Sequence, residues 1–123
     1  MRPFIGTFAI LFVMSVCGCK KNDPPKKADL RPRLEAAMQI TNSNDRDSAL
    51  KTVAVDSAGL GAGDITLEAL AHMFNSSFRD ETASDCASRL AKAQQLSFAK
   101  DVAKTIVSSN LRDETLKKLA EGV

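Results

Sequence analysis

Arg79-Asp80-Glu81-Thr82 returns thirty-three residues later as Arg112-Asp113-Glu114-Thr115, and Arg46-Asp47 stands thirty-three residues before the first of them. The same interval aligns Ile40, Met73 and Ile106, then Ser43, Ser76 and Ser109. It also aligns Glu35, Glu68 and Asp101, and pairs Ala54 with Ala87 and Ala58 with Ala91. A charged dipeptide that recurs alone is a weak signal. Its recurrence in step with apolar positions is the signature of a structural repeat.

Each unit reads as two helices. After Arg46 the apolar residues Ala49, Leu50, Val53, Ala54 and Ala58 fall on one helical face. Gly59, Gly61 and Gly63 break that helix. Asp64 is placed to cap the next one, Ile65 to about Asn75, with a stripe of Leu67, Leu70, Ala71 and Phe74. In the second unit Ala83, Cys86, Ala87, Leu90 and Ala91 form the first stripe, Gln94-Gln95-Leu96 the turn, and Ser97 the cap. Phe98, Val102, Ala103, Ile106 and Val107 form the following stripe. Residues 34–42 read as the second helix of an incomplete unit, and 113–120 as the first helix of another. The fold expected is all-α: a short α-solenoid of antiparallel helical hairpins, about five helices' worth after the N-terminal leader.

The recurrent charges have a local explanation. Asn44…Asp47, Ser77…Asp80 and Asn110…Asp113 resemble capping boxes with Asp in the usual Glu/Gln place. Each Asp would then sit at the positive end of a helix dipole, worth about 0.3–1 kcal/mol. Arg46, Arg79 and Arg112 either bridge to the neighbouring unit's acid or form a basic ladder that recognises an anionic ligand.

Helical hairpins with this period resemble the tetratricopeptide family. The stretch Leu90-Ala-Lys-Ala-Gln-Gln-Leu-Ser-Phe-Ala99 carries the likeness to the family's first-helix end, turn and second-helix alanine, and the resemblance covers roughly residues 34–121. It implies a right-handed solenoid that binds peptides or partner proteins, without catalysis of its own.

The N-terminus reads as an address. Arg2 precedes an uncharged, mostly apolar run from Phe4 to Val16, too short for a spanning helix of about 20 residues. Val16-Cys17-Gly18-Cys19 then resembles the lipobox of bacterial lipoproteins, with Cys19 as the lipidated residue. The resemblance implies cleavage before Cys19, a diacylglyceryl thioether and an N-acyl chain such as palmitate, and anchoring to a membrane. It places the protein facing the periplasm or the cell exterior. Lys20, rather than Asp, follows the cysteine, which points to the outer membrane where the host has two. An ordinary cleaved signal peptide and an uncleaved anchor are the alternatives. The domain scheme is therefore a signal peptide at 1–18, a lipidated and basic tether at 19–33, and a repeat domain at 34–123. Lys20, Lys21, Lys26, Lys27, Arg31 and Arg33 face only Asp23 and Asp29 in that tether, and Pro24, Pro25 and Pro32 disfavour a continuous helix there.

Composition excludes several function classes. A formal charge of +2, no Trp or Tyr and six Phe among 123 residues argue against nucleic acid as a partner. One His and three Cys do not make a metal centre or a disulfide scaffold, and no cofactor motif is present. Cys86 aligns with Val53 and Leu119, which are core aliphatics, so it reads as a small buried hydrophobe. His72 aligns with Gln39 and Thr105 and reads as solvated. The function expected is a membrane-anchored adaptor that binds an unidentified envelope protein or peptide. The alternative is a structural envelope subunit that associates with copies of itself.

Overall fold

The structure, a computed structural model, describes residues 26–122. The leader, Cys19 and the tether as far as Pro25 lie outside the described residues. The described chain is all-helical, with six helices and no strand: α1 Lys27–Met38, α2 Ser43–Gly59, α3 Gly63–Ala71, α4 Ser76–Lys92, α5 Leu96–Lys104 and α6 Ser109–Ala120. The bounds of α2 and α3 reappear in α4 and α5 after a shift of thirty-three residues. Every helix packs only on the next helix or the next but one along the chain.

The described residues hold six helices rather than about five, and α1 is the helix read at 34–42, begun seven residues earlier. The chain is already helical from Lys27, inside the stretch read as an extended tether, with Pro32 in the helix interior. Pro32 has no N–H to donate to the Ala28 carbonyl. Leu30 and Leu34 offset that loss, because they are buried at 1% and 0% exposure beneath α2 and α3. Full burial of a leucine contributes about 1.5–3 kcal/mol, comparable with the cost of an interior proline.

Packing follows the apolar stripes. Leu50, Val53, Ala54 and Ala58 of α2 are buried, as are Ala83, Cys86, Ala87 and Leu90 of α4. Alanines at these positions let the helix axes approach closely. The buried hydroxyls of Ser57 and Thr66 meet at 2.7 Å and tie α2 to α3. Ser84 and Thr115 meet at 3.0 Å between α4 and α6. Ala71, Phe74 and Val107, expected on buried stripes, are exposed. Helices α3 and α5 end at Ala71 and Lys104, so Phe74 and Val107 lie in the linkers beyond the helical face that would have buried them.

The turns differ from expectation in their caps. Neither Asp64 nor Ser97 caps a helix. The capping positions are Ala62 and Gln95, and no side chain caps there. The chain reverses instead by a Schellman motif. Ala62 N–H donates to Ser57 C=O and Gly61 N–H to Ala58 C=O, at 2.8 and 3.1 Å. Gln95 and Gln94 make the corresponding bonds to Leu90 and Ala91, also at 2.8 and 3.1 Å. The motif requires a left-handed residue, and φ is 77° at Gly61 and 67° at Gln94. Gly63 serves a different end: the Phe98 side chain of α5 lies where a Cβ on Gly63 would stand.

The two left-handed positions make a matched pair of expectations. Gln94→Gly removes a left-handed strain of about 1–2 kcal/mol while adding about 0.5–1 kcal/mol of unfolded-state freedom. It should therefore raise the melting temperature. Gly61→Ala should lower it by a similar argument in reverse. Thermal unfolding of both variants checks this, and a fall for Gln94→Gly would contradict the assignment of the turn.

Candidate functional site

The recurrent acids do not cap their own helices. The capping residues are Asn42, Asn75 and Ser108, two positions before the ones expected. The Asn42 side chain accepts from the N–H groups of Asn44 and Asp45, at 2.9 and 3.1 Å. Asn75 accepts from Phe78 N–H at 2.9 Å, and Ser108 from Leu111 N–H at 3.5 Å. This leaves Asp47 and Asp80 past the first turn of α2 and α4, pointing away from their own helix ends.

Their carboxylates hold the following unit. Asp47 accepts from Phe74 N–H at 2.8 Å through Oδ1 and from Asn75 N–H at 2.9 Å through Oδ2. Asp80 accepts from Val107 N–H and Ser108 N–H, both at 3.0 Å, one per oxygen. Both carboxylates are buried, at 4% and 6% exposure. Two charge-assisted bonds compensate the burial of each. The N–H groups they satisfy belong to the linker residues that enter α4 and α6, so each Asp fixes the point where the next helix starts. Asp113, the third member of the series, is exposed and accepts no hydrogen bond among the described residues.

The arginines are half-buried and do not bridge to acids. Arg46 Nη1 donates to Ile40 C=O at 3.4 Å and Arg112 Nη1 to Ile106 C=O at 3.3 Å. Ile40 and Ile106 lie just beyond the ends of α1 and α5, so each guanidinium sits against the negative end of a helix dipole. The Nε atoms of Arg46 and Arg79 are buried without a partner. Among the described residues no salt bridge joins these arginines to the acid of a neighbouring unit.

Cys86 and His72 do not come together as a reactive pair. Cys86 is fully buried, and its counterparts Val53 and Leu119 are buried as well. His72, Gln39 and Thr105 are the exposed capping residues at the ends of α3, α1 and α5. Burial pushes the Cys86 thiol up to about 12, with a smaller push from Asp85 and an opposing pull from Arg89. A thiol in that state supplies no thiolate nucleophile near neutral pH. Among the described residues no group of three or more His, Cys, Asp and Glu side chains could hold a metal ion, and no helix is long and apolar enough to cross a membrane.

A face of the described surface has the mixed character of a binding site. It runs along α2 and α4, where Ser48, Lys51, Thr52, Val55, Asp56 and Phe78 line an open depression of about 420 Å³. The Lys51 ammonium lies 5.2 Å from the centre of the Phe78 ring. That contact holds a cation over an aromatic face in the lining of the depression. Both charged groups at its rim, Lys51 and Asp56, lie one helical turn or so apart on α2, and Asp56 is paired with Arg33 of α1 at 2.7 Å. Sequence periodicity did not single out Phe78, because it lies off the buried stripe of α4. Its recurrence as Leu111, also half-buried, was the available signal.

No family model, no curated protein and no solved structure matches the chain.

The Cys86 environment has a pH signature. Its ordinary value is 9.0 and its folded value is raised, so the stability from burying the neutral thiol is complete below pH 9. It is lost as pH rises from 9 towards about 12. Cys86→Val copies the residue at position 53 and should change neutral-pH stability by less than about 1.5 kcal/mol. Melting curves from pH 8 to pH 11 should fall less steeply for the variant. Parallel curves for the two proteins would show that the thiol does not titrate with unfolding.

Proposed function

We propose that the chain is a small helical-repeat interaction module carried on a lipid-anchored N-terminus. The repeat reading is a short α-solenoid of hairpins with a period of thirty-three residues. The observation that carries it is the reuse of one hydrogen-bond pattern. Asp47 to the 74–75 linker and Asp80 to the 107–108 linker have the same spacing in sequence and the same geometry. Contacts confined to adjacent helices are also what a quasi-one-dimensional stack requires. The tetratricopeptide likeness of residues 90–99 agrees with this architecture.

The module's work is recognition of another protein, and it carries no catalysis. The α2–α4 face supports that reading. It is open, and it combines an aromatic ring with charges of both signs, as suits a segment of a partner protein. The lipobox-like Val16-Cys17-Gly18-Cys19 supports attachment to a membrane through Cys19, facing the periplasm or the cell exterior and, in a two-membrane host, the outer membrane. Two or more acyl chains anchor stably, at about 0.8 kcal/mol per buried CH₂.

One experiment tests both halves. The full chain, its Cys19→Ser variant and its Lys51→Glu variant are expressed in bacteria with radiolabelled palmitate and purified from detergent-solubilised envelopes. Cys19→Ser should abolish acyl labelling. Lys51→Glu should keep the label and the melting temperature but lose the protein that co-purifies with the wild type. Acyl label on Cys19→Ser contradicts the anchor, and undiminished co-purification with Lys51→Glu contradicts the binding face.

A further inference from the structure

The two ends of the described chain are complementary. Asp113 sits where Asp47 and Asp80 sit in the earlier helices, yet its carboxylate meets no N–H group among the described residues. Thr41 and Asn42 align with Phe74-Asn75 and Val107-Ser108, the two linkers whose N–H pairs those acids satisfy. The N–H groups of Thr41 and Asn42 have no acceptor among the described residues. One end therefore carries an acceptor without donors, and the other carries donors without the acceptor.

The apolar surface around them is open in the same matched way. On α2 and α4 the rows Asp47, Leu50, Ala54 and Asp80, Ala83, Ala87 are buried, and each of these helices packs on the two helices that follow it. On α6 the corresponding row is Asp113, Leu116 and Ala120, of which the first and last are exposed and Leu116 is half-buried. At the other end, Ala36 of α1 is exposed although its counterparts Ala69 and Val102 are both at 0%. Ile40 is half-buried where Met73 and Ile106 are buried. Ala36, Ala37, Ile40, Ala49 and Val53 line a largely apolar depression of about 380 Å³ between α1 and α2. Ala49 aligns with Thr82 and Thr115, and Thr115 is buried against α4 of the preceding unit.

We propose that a second copy of this chain occupies that depression: α6 of one copy docks against α1 and α2 of the next, and its Asp113 accepts from the N–H groups of Thr41 and Asn42. The contact continues across two molecules the packing that α4 makes with α5 and α6 inside one. Helix α1 of the second copy stands beside α6 of the first as α5 stands beside α4. The two surfaces are different, so the contact is heterologous and each docked copy presents a fresh open end. It generates a chain of copies that grows without closing, since successive units advance along the stack. This goes beyond partner binding at the α2–α4 face and uses none of that groove's residues except Thr52 at its edge.

Complementation between end-blocked variants tests the proposal. Ala36→Arg blocks the α1 end and Asp113→Lys the α6 end, with Ala120→Arg as a second block of the α6 end. All three positions are exposed, so the melt of each variant at low concentration should match the wild type. The full chain in non-ionic detergent is followed by sedimentation, with the detergent density-matched. The wild type should gain mass progressively as its concentration rises. Ala36→Arg alone and Asp113→Lys alone should each stay monomeric. Their equimolar mixture should form a dimer and nothing larger, because each supplies the surface the other has lost. A wild type that stays monomeric at every concentration overturns the proposal. So does assembly that persists in either single variant, which would place the contact in the leader, the α2–α4 face or elsewhere. A mixture that remains monomeric while the wild type assembles would exclude the head-to-tail geometry.

Discussion

A buried carboxylate that accepts two consecutive backbone N–H groups is the interaction on which this structure depends. Asp47 and Asp80 each reach across to the linker entering the next long helix and satisfy the two donors there. Linker N–H groups are costly when buried and unpaired, at about 1–3 kcal/mol each. An acceptor placed between them meets both needs at once: the linker loses its unsatisfied donors, and the buried carboxylate oxygens gain partners. The start of α4 and α6 is thereby fixed relative to α2 and α4.

The remaining features follow from that spacing. With the linker held, the Schellman turns at Gly61 and Gln94 set the length of the second helix in each hairpin, and α3 and α5 come out at nine residues each. Alanines along α2, α3, α4 and α5 allow the short helices to sit close against the long ones, and Gly63 admits Phe98. Arg46 and Arg112 lie along the ends of the preceding helices, where the dipole favours a cation.

Much of this was legible in the sequence, and the rest was not for identifiable reasons. The thirty-three-residue interval, the buried stripes of α2 and α4 and the burial of Val53, Cys86 and Leu119 follow from periodicity, which reports which face of a helix meets the core. Periodicity does not report where a helix begins. Asn44 and Asn42 are both good caps with an acid downstream, and the choice between them is made by Asp47, whose partners lie twenty-seven and twenty-eight residues away. No local rule sees a bond of that length. Pro32 in α1 shows the converse: a local rule against helix is overridden by Leu30 and Leu34, which are buried against α2 and α3. The turn at Gln94 was legible, but its left-handed backbone was not, because glutamine rarely adopts one. Its alignment with Gly61 was the available clue.

Amide hydrogen exchange of the native chain, read residue by residue at a concentration where it is monomeric, tests the central claim most directly. The amides of Phe74, Asn75, Val107 and Ser108 are outside any helix yet accepted by buried carboxylates, and they should exchange slowly. Thr41 and Asn42 occupy the corresponding linker without a carboxylate and should exchange quickly, as an internal reference. Slow exchange at the four and fast exchange at the two is the expected result. Equally fast exchange at all six would mean that Asp47 and Asp80 do not hold the linkers, and the account of the fold would fail with them.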